Sequence, residues 1–127
     1  MQSKTVLVID DEPAIRILLE NLIISRYPDV SVLKAASREE TLSLLSSIDS
    51  LDAVFLDLGL PDGDGVSLIA EIKKVFSVSS IFVVSGNYEH SKIKSTLSAG
   101  AMGYLKKPFN KANFIKILES KIFQENN

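Results

Sequence analysis

Three carboxylates, a serine and a pair of lysines carry the reactive chemistry available to this chain, and each follows an apolar run. Asp10 and Asp11 come after Val6–Ile9, and Asp57 comes after Ala53–Leu56. Ser85 comes after Ile81–Val84, and Lys106-Lys107 close the run that starts at Gly103. A carboxylate at the end of a buried strand is costly unless a cation or hydrogen-bond donors pair with it. Three ionised carboxylates in a small volume call for a hard divalent cation, Mg²⁺ or alternatively Mn²⁺. Mg²⁺ takes a few carboxylate oxygens plus water and leaves positions for phosphate oxygens. An ammonium and a hydroxyl can hold the other oxygens of a transferring phosphoryl group, which needs positioning and charge stabilisation above all. Asp57 would then be the nucleophile of an acyl phosphate. Singly, a strand-end Asp is a turn former or helix cap, Ser85-Gly86-Asn87 is a turn, and a Lys before Pro108 is a solvated edge. Their joint occurrence at strand ends is what points to phosphoryl chemistry.

Such convergence needs strands that all end on one rim. Thr5–Ile9 is a β-branched run, and Pro13 suits the first turn of the helix that follows. That helix repeats Ile15, Leu18, Leu19, Leu22 and Ile23 on one face. Residues 30–33 alternate and read as an edge strand. Ser37 with Glu40 forms a capping box, opening a helix expected to bury Leu42, Leu45 and Ile48. After the 53–56 strand, Asp64 caps a helix expected to bury Leu68, Ile69, Ile72, Val75 and Phe76. The 89–99 helix is the weakest, with Ile93 and Leu97 as apolar anchors and Gly100 as its C-cap. Residues 103–106 form a last strand, and Asn110 precedes a helix carrying Phe114, Ile117, Leu118 and Ile122. Residues 124–127 read as a fraying tail.

Strand and helix alternate five times, which implies a doubly wound parallel sheet with helices on both faces. The three most continuously apolar strands belong in the centre, giving the order 2-1-3-4-5 of a flavodoxin-like (βα)5 α/β fold. Residues 1–127 are expected to form one domain, with a core over about residues 4–123.

The absence of cysteine excludes disulfides and thiolate chemistry. No apolar run approaches a membrane span and the N-terminus has no signal-peptide layout, so the expectation is a cytoplasmic protein without membrane association. Residues 1–64 hold 5 Lys and Arg against 12 Asp and Glu, whereas residues 65–127 hold 9 against 4. The lysines of the second half are dispersed and few aromatics accompany them, which argues for solvated helix faces and against direct nucleic-acid binding.

The motifs resemble those of response-regulator receiver domains of two-component signalling. They are Ile9-Asp10-Asp11-Glu12, Leu56-Asp57-Leu58-Gly59-Leu60-Pro61-Asp62-Gly63-Asp64-Gly65, Val84-Ser85-Gly86, and Gly100 through Lys107-Pro108-Phe109. The resemblance spans essentially the whole chain. It implies that Asp57 is the phosphoacceptor, that Asp11 ligates Mg²⁺ directly and Asp10 through water, and that the Gly59 carbonyl is a further ligand. It also implies that Ser85 is the switch hydroxyl and Tyr104 the switch aromatic. It selects Lys107 as the phosphate-facing lysine, with Lys106 exposed and a cis bond from Lys107 to Pro108. Gly59 and Asn87 fall at positions that tune phosphoryl lifetime in relatives, and the bare Gly59 implies a short-lived acyl phosphate.

The function so implied is non-enzymatic signalling. A sensor histidine kinase or a phosphotransfer protein donates the phosphoryl group, and the face made by helix 4, strand 5 and helix 5 switches, with homodimerisation through it as in many relatives. No output domain is expected within these 127 residues. A Mg²⁺-dependent aspartyl-phosphate phosphatase is the alternative. Its general acid would stand two residues after the nucleophile, where this chain has Gly59. A nucleotide or flavin binder lacks its Gly-rich loop after the first strand. His90, the only histidine, is read as a surface residue.

Overall fold

A computed structural model describes residues 4–86 and 90–123, without the His90 side chain. The readings made for Asn87, for the His90 side chain, for the start of helix 4 at 89 and for the tail fall outside these residues. Five strands, β1 (Thr5–Ile9), β2 (Ser31–Ala35), β3 (Ala53–Leu56), β4 (Ser80–Ser85) and β5 (Gly103–Lys106), form one parallel sheet in the order β2-β1-β3-β4-β5. Between and after them run α1 (Pro13–Arg26), α2 (Arg38–Leu45), α3 (Gly65–Val75), α4 (His90–Ala99) and α5 (Lys111–Ile117). The last of these continues as a π-turn over Leu118–Ile122.

The pleat divides the strand residues between two cores. Leu7, Ile9, Val54, Leu56, Ile81 and Val83 face α2, α3 and α4, where Leu45, Leu68, Ile69 and Ile72 meet them. Val6, Val8, Phe55, Phe82 and Val84 face α1 and α5, against Leu19, Ile23, Phe114 and Leu118. The Phe55 and Phe114 rings lie 4.8 Å apart between centroids, fixing α5 over the central strand. Because β1, β3 and β4 are covered on both faces, their near-continuous apolar sequence is what a central parallel strand requires.

Some expected positions move. β2 runs two residues past 33, because Ala35 is buried and its carbonyl accepts from Asp10 N at 3.0 Å. Leu42, in the middle of the short helix α2, is 36% exposed. Val75, in the last turn of α3, is 54% exposed. On α4 the anchor is the fully buried Thr96, whose hydroxyl donates to the Ile93 carbonyl, while Leu97 is exposed. Gly100, at φ +120°, supplies the left-handed residue after α4.

α3 starts unusually close to the loop before it. A Cβ on Gly65 would sit 2.8 Å from Leu58 Cα and 2.9 Å from Leu58 Cδ2. Backbone cannot yield as a side-chain tip can, so Gly65→Ala should destabilise the fold by about 1–3 kcal/mol. Urea unfolding checks this as a lowered midpoint with an unchanged slope.

Candidate phosphoacceptor site

A parallel sheet delivers all strand ends to one rim, and there β1, β3 and β5 bring their terminal residues together. Asp10 leaves β1 only 2% exposed, and Asp57 leaves β3 at 7%. Lys107 reaches in from the residue after β5. Its Nζ stands 2.7 Å from Asp10 Oδ2, 3.4 Å from Asp57 Oδ2 and 3.5 Å from Glu12 Oε1. One ammonium thus serves two buried carboxylates and one exposed carboxylate.

Backbone donors complete the pairing. Asp10 Oδ1 accepts from Glu12 N at 2.9 Å, and Asp57 Oδ1 accepts from Gly59 N at 3.2 Å. Arg16 Nη1 on α1 donates to the Asp10 carbonyl at 2.6 Å, pinning the turn that carries the acids. Burial pushes the Asp10 carboxyl above the usual carboxylate range and the Asp57 charge adds to the rise, against the pull of Lys107 and of Glu12 N. Burial alone would lower the Lys107 pKa. The hydrogen bond to Asp10 and the charges of Asp57 and Asp10 outweigh it, so the ammonium is held above the ordinary lysine value.

Asp11 is exposed beside them. Carboxylate oxygens of Asp10, Asp11 and Glu12 lie within 4.8 Å of one another. An all-oxygen donor set of this charge suits a hard divalent cation. Glu12 is the residue that sequence reasoning missed. It belongs to the quoted acidic run, but its approach to Lys107 across 95 positions leaves no local trace.

Ser85 ends β4 and is buried, and its carbonyl accepts from Lys107 N at 3.0 Å. Tyr104 pairs in register with Val83 and packs against the α2–α3–α4 core, its hydroxyl shielded from solvent. Lys106 is exposed, and the Lys107–Pro108 bond is cis. Gly59 is exposed, and a Cβ there would lie 3.9 Å from both carboxylate oxygens of Asp57, in ordinary contact. A groove of about 370 Å³ lined by Glu12, Ile15, Leu18, Lys107, Pro108 and Phe109 runs from the acids toward α1. Among the described residues no helix is long and apolar enough to cross a membrane.

Comparison with known proteins agrees with this fold. Residues 6–119 match the family model described as the response regulator receiver domain. The transcriptional regulatory protein KdpE of Staphylococcus aureus is 39% identical over 110 residues, which are 87% of this chain and 46% of that protein. The chain spans about half the length of several curated relatives it matches. A solved response regulator from Burkholderia pseudomallei, carrying a phosphorylated aspartic acid, a calcium ion and citrate, superposes with a TM-score of 0.83 at 26% identity. It covers 95% of this chain and 69% of that one. A CheY-like receiver domain from Methanospirillum hungatei shares the fold with a TM-score of 0.86 at 24% identity, over 96% of this chain and 95% of its own.

Proposed function

The chain belongs to the response-regulator receiver family, and from that premise we propose that Asp57 accepts a phosphoryl group. The donor is the phosphohistidine of a sensor histidine kinase or a phosphotransfer protein, and the reaction depends on Mg²⁺. The observation that carries this reading is the shared Lys107. Its ammonium stands between Asp10 and Asp57, on the Oδ2 side of the carboxylate, where phosphoryl oxygens on Asp57 would need a counter-charge. An Asp57 oxygen forms the bond to phosphorus as the phosphorus–nitrogen bond to the donor imidazole breaks. The electron pair returns to that imidazole nitrogen, which takes up a proton. Asp11, Asp57 and the Gly59 carbonyl would hold a Mg²⁺ directly and Asp10 would hold it through water, and the ion would supply charge neutralisation at the phosphoryl oxygens. Glu12 adds its carboxylate to those of Asp10 and Asp11.

The groove beside Glu12 and Lys107 supports a protein donor, because Ile15, Leu18, Pro108 and Phe109 offer apolar surface next to the lysine that reaches Asp57. In the signalling step Ser85 and Tyr104 turn toward the modified Asp57, and the face of α4, β5 and α5 changes its partners, a second copy of the chain among them. The anchoring of α4, with its exposed Leu97, fits an element of low local stability. Incubation with Mg²⁺ and a small acyl phosphate should add one phosphate to the mass, mapped by peptide analysis to Asp57. No adduct with any donor, or an adduct elsewhere, would refute the assignment.

Lifetime follows from Gly59. With no side chain there, water reaches the carboxylate from the open side, while a Cβ would touch both oxygens. Gly59→Met should slow hydrolysis of the acyl phosphate on the order of tenfold, or ~1.4 kcal/mol in the barrier. Decay of the purified phosphoprotein in the two forms is the measurement, and equal or slower wild-type decay contradicts it.

A further inference from the structure

The loop between Asp57 and α3 is gripped at its far end by a helix from a different part of the chain. The Asp62 carboxylate accepts from Arg38 N at 2.8 Å through Oδ1 and from Glu39 N at 2.9 Å through Oδ2. These are the first two backbone N–H groups of α2, and its third, Glu40 N, goes to the Ser37 hydroxyl at 3.1 Å. A helix start leaves these donors without intrahelical partners, and here two of the three are satisfied by the phosphoacceptor loop.

Arg38 then reaches back over the same loop. Its Nη1 donates to Ser67 Oγ at 3.1 Å and its Nη2 pairs with Glu71, both on α3. The reach is close: a Cβ on Gly63 would sit 2.7 Å from Arg38 Cδ. The amides of Arg38 and Glu39 hold the Asp62 carboxyl below the usual carboxylate range. The bonds therefore favour the ionised form, as an N-terminal helix dipole does.

At its near end the loop is fixed by Gly59 N donating to Asp57 Oδ1 at 3.2 Å. Gly59 thus lies on a six-residue span, 57–62, held at Asp57 by β3 and at Asp62, three residues beyond Gly59, by α2. We propose that Asp62 is a positioning residue for the cation site. By tethering the loop to α2 it holds the Gly59 carbonyl where the ion needs it. The inference rests on the proposed role of that carbonyl as a ligand. Ordering of a ligand from outside the ligand set commonly changes metal affinity by about tenfold or more.

The test compares Asp62→Ala, Asp62→Asn and Ser37→Ala with the wild type. Ser37→Ala strips a donor's partner from the same helix end but leaves the tether in place. Mg²⁺ is titrated while the Gly59 and Asp11 amide shifts are followed by NMR, and hydrogen exchange at the Gly59 amide is measured without metal. Asp62→Ala should weaken Mg²⁺ binding about tenfold and speed Gly59 exchange. Asp62→Asn, which keeps one acceptor oxygen, should fall between, and Ser37→Ala should match the wild type in both. Wild-type affinity in Asp62→Ala, or an equal loss in Ser37→Ala, overturns the inference. A wild type that binds no Mg²⁺ overturns the cation reading instead. The tether then stands or falls on Gly59 exchange alone, faster exchange in Asp62→Ala supporting it and unchanged exchange refuting it.

Discussion

An Asp57→Asn protein should gain no phosphate under conditions that modify the wild type, and it should do so without losing its fold. The change keeps the shape of the side chain, and its carbonyl oxygen can still accept from Gly59 N, as Asp57 Oδ1 does. What disappears is an anionic oxygen able to attack phosphorus. The stability effect is small for an electrostatic reason. Asp10 and Asp57 are both nearly buried and share Lys107, and the Asp57 charge contributes to raising the Asp10 pKa. Removing one negative charge relieves that repulsion while weakening the hold on Lys107. Intact-mass analysis should show complete loss of the adduct, and the unfolding free energy from urea titration should stay within about 1 kcal/mol of wild type in metal-free buffer. A residual adduct mapped to another carboxylate would move the acceptor elsewhere. A collapse of stability would mean that Asp57 is chiefly a structural acid.

Lys107→Met should do the reverse, removing stability along with activity. Met fills most of the volume of the lysine stem but leaves Asp10 buried with only the Glu12 amide as partner. Leaving one member of a buried ion pair uncompensated costs about 3 kcal/mol or more. The loss should depend on pH with a definite sign. The Asp10 pKa is raised in the folded protein, so the native state binds the proton more tightly than the unfolded chain does. Stability linked to Asp10 is thus greatest below the ordinary carboxylate value and falls as pH rises through the elevated one. Without Lys107 the Asp10 pKa climbs further, because two of the influences that lower it come from that ammonium. The gap between variant and wild type should be widest near neutral pH and narrow on acidification as Asp10 protonates.

At the alkaline end the same lysine gives a second signature. Its folded pKa is raised, so the wild type keeps the lysine's contribution up to the ordinary lysine value and loses it as pH rises through the elevated one. The variant has no such step. Urea unfolding of both proteins from pH 4 to 11, with a chelator present, checks both signs. A gap that is constant across that range would contradict the pairing described here.

The strand order and the strand-end residues were legible in the sequence because parallel strands covered on both faces cannot hide their apolar runs. Asp10, Asp57 and Ser85 were legible for the same reason, as polar residues abutting those runs, whereas only the family resemblance told Lys107 from Lys106 at the end of the edge strand β5. Helix faces were less so. Helical spacing gives the direction of a stripe but not where its edge meets solvent, so Leu42, Val75 and Leu97 were expected inside and lie exposed. Thr96 was overlooked since a hydroxyl reads as polar until a carbonyl one turn back absorbs it. The partners of Glu12 and Asp62 could not be read at all. Those contacts join residues 95, 24 and 23 positions apart, and only the assembled sheet brings them together.

The pair Lys107–Asp10 closes a span of 97 residues, joining the turn after the first strand to the turn after the last. Between those strands lie β3 and β4, each of which must already be seated for β5 to dock. Contacts of such sequence separation form late, since the chain entropy of closing the span must be met before the contact repays it. A nascent or partly unfolded chain therefore carries Asp57 without its ammonium. Chemical competence at Asp57 would then require the completed sheet, and a chain in which β5 has not docked would lack it.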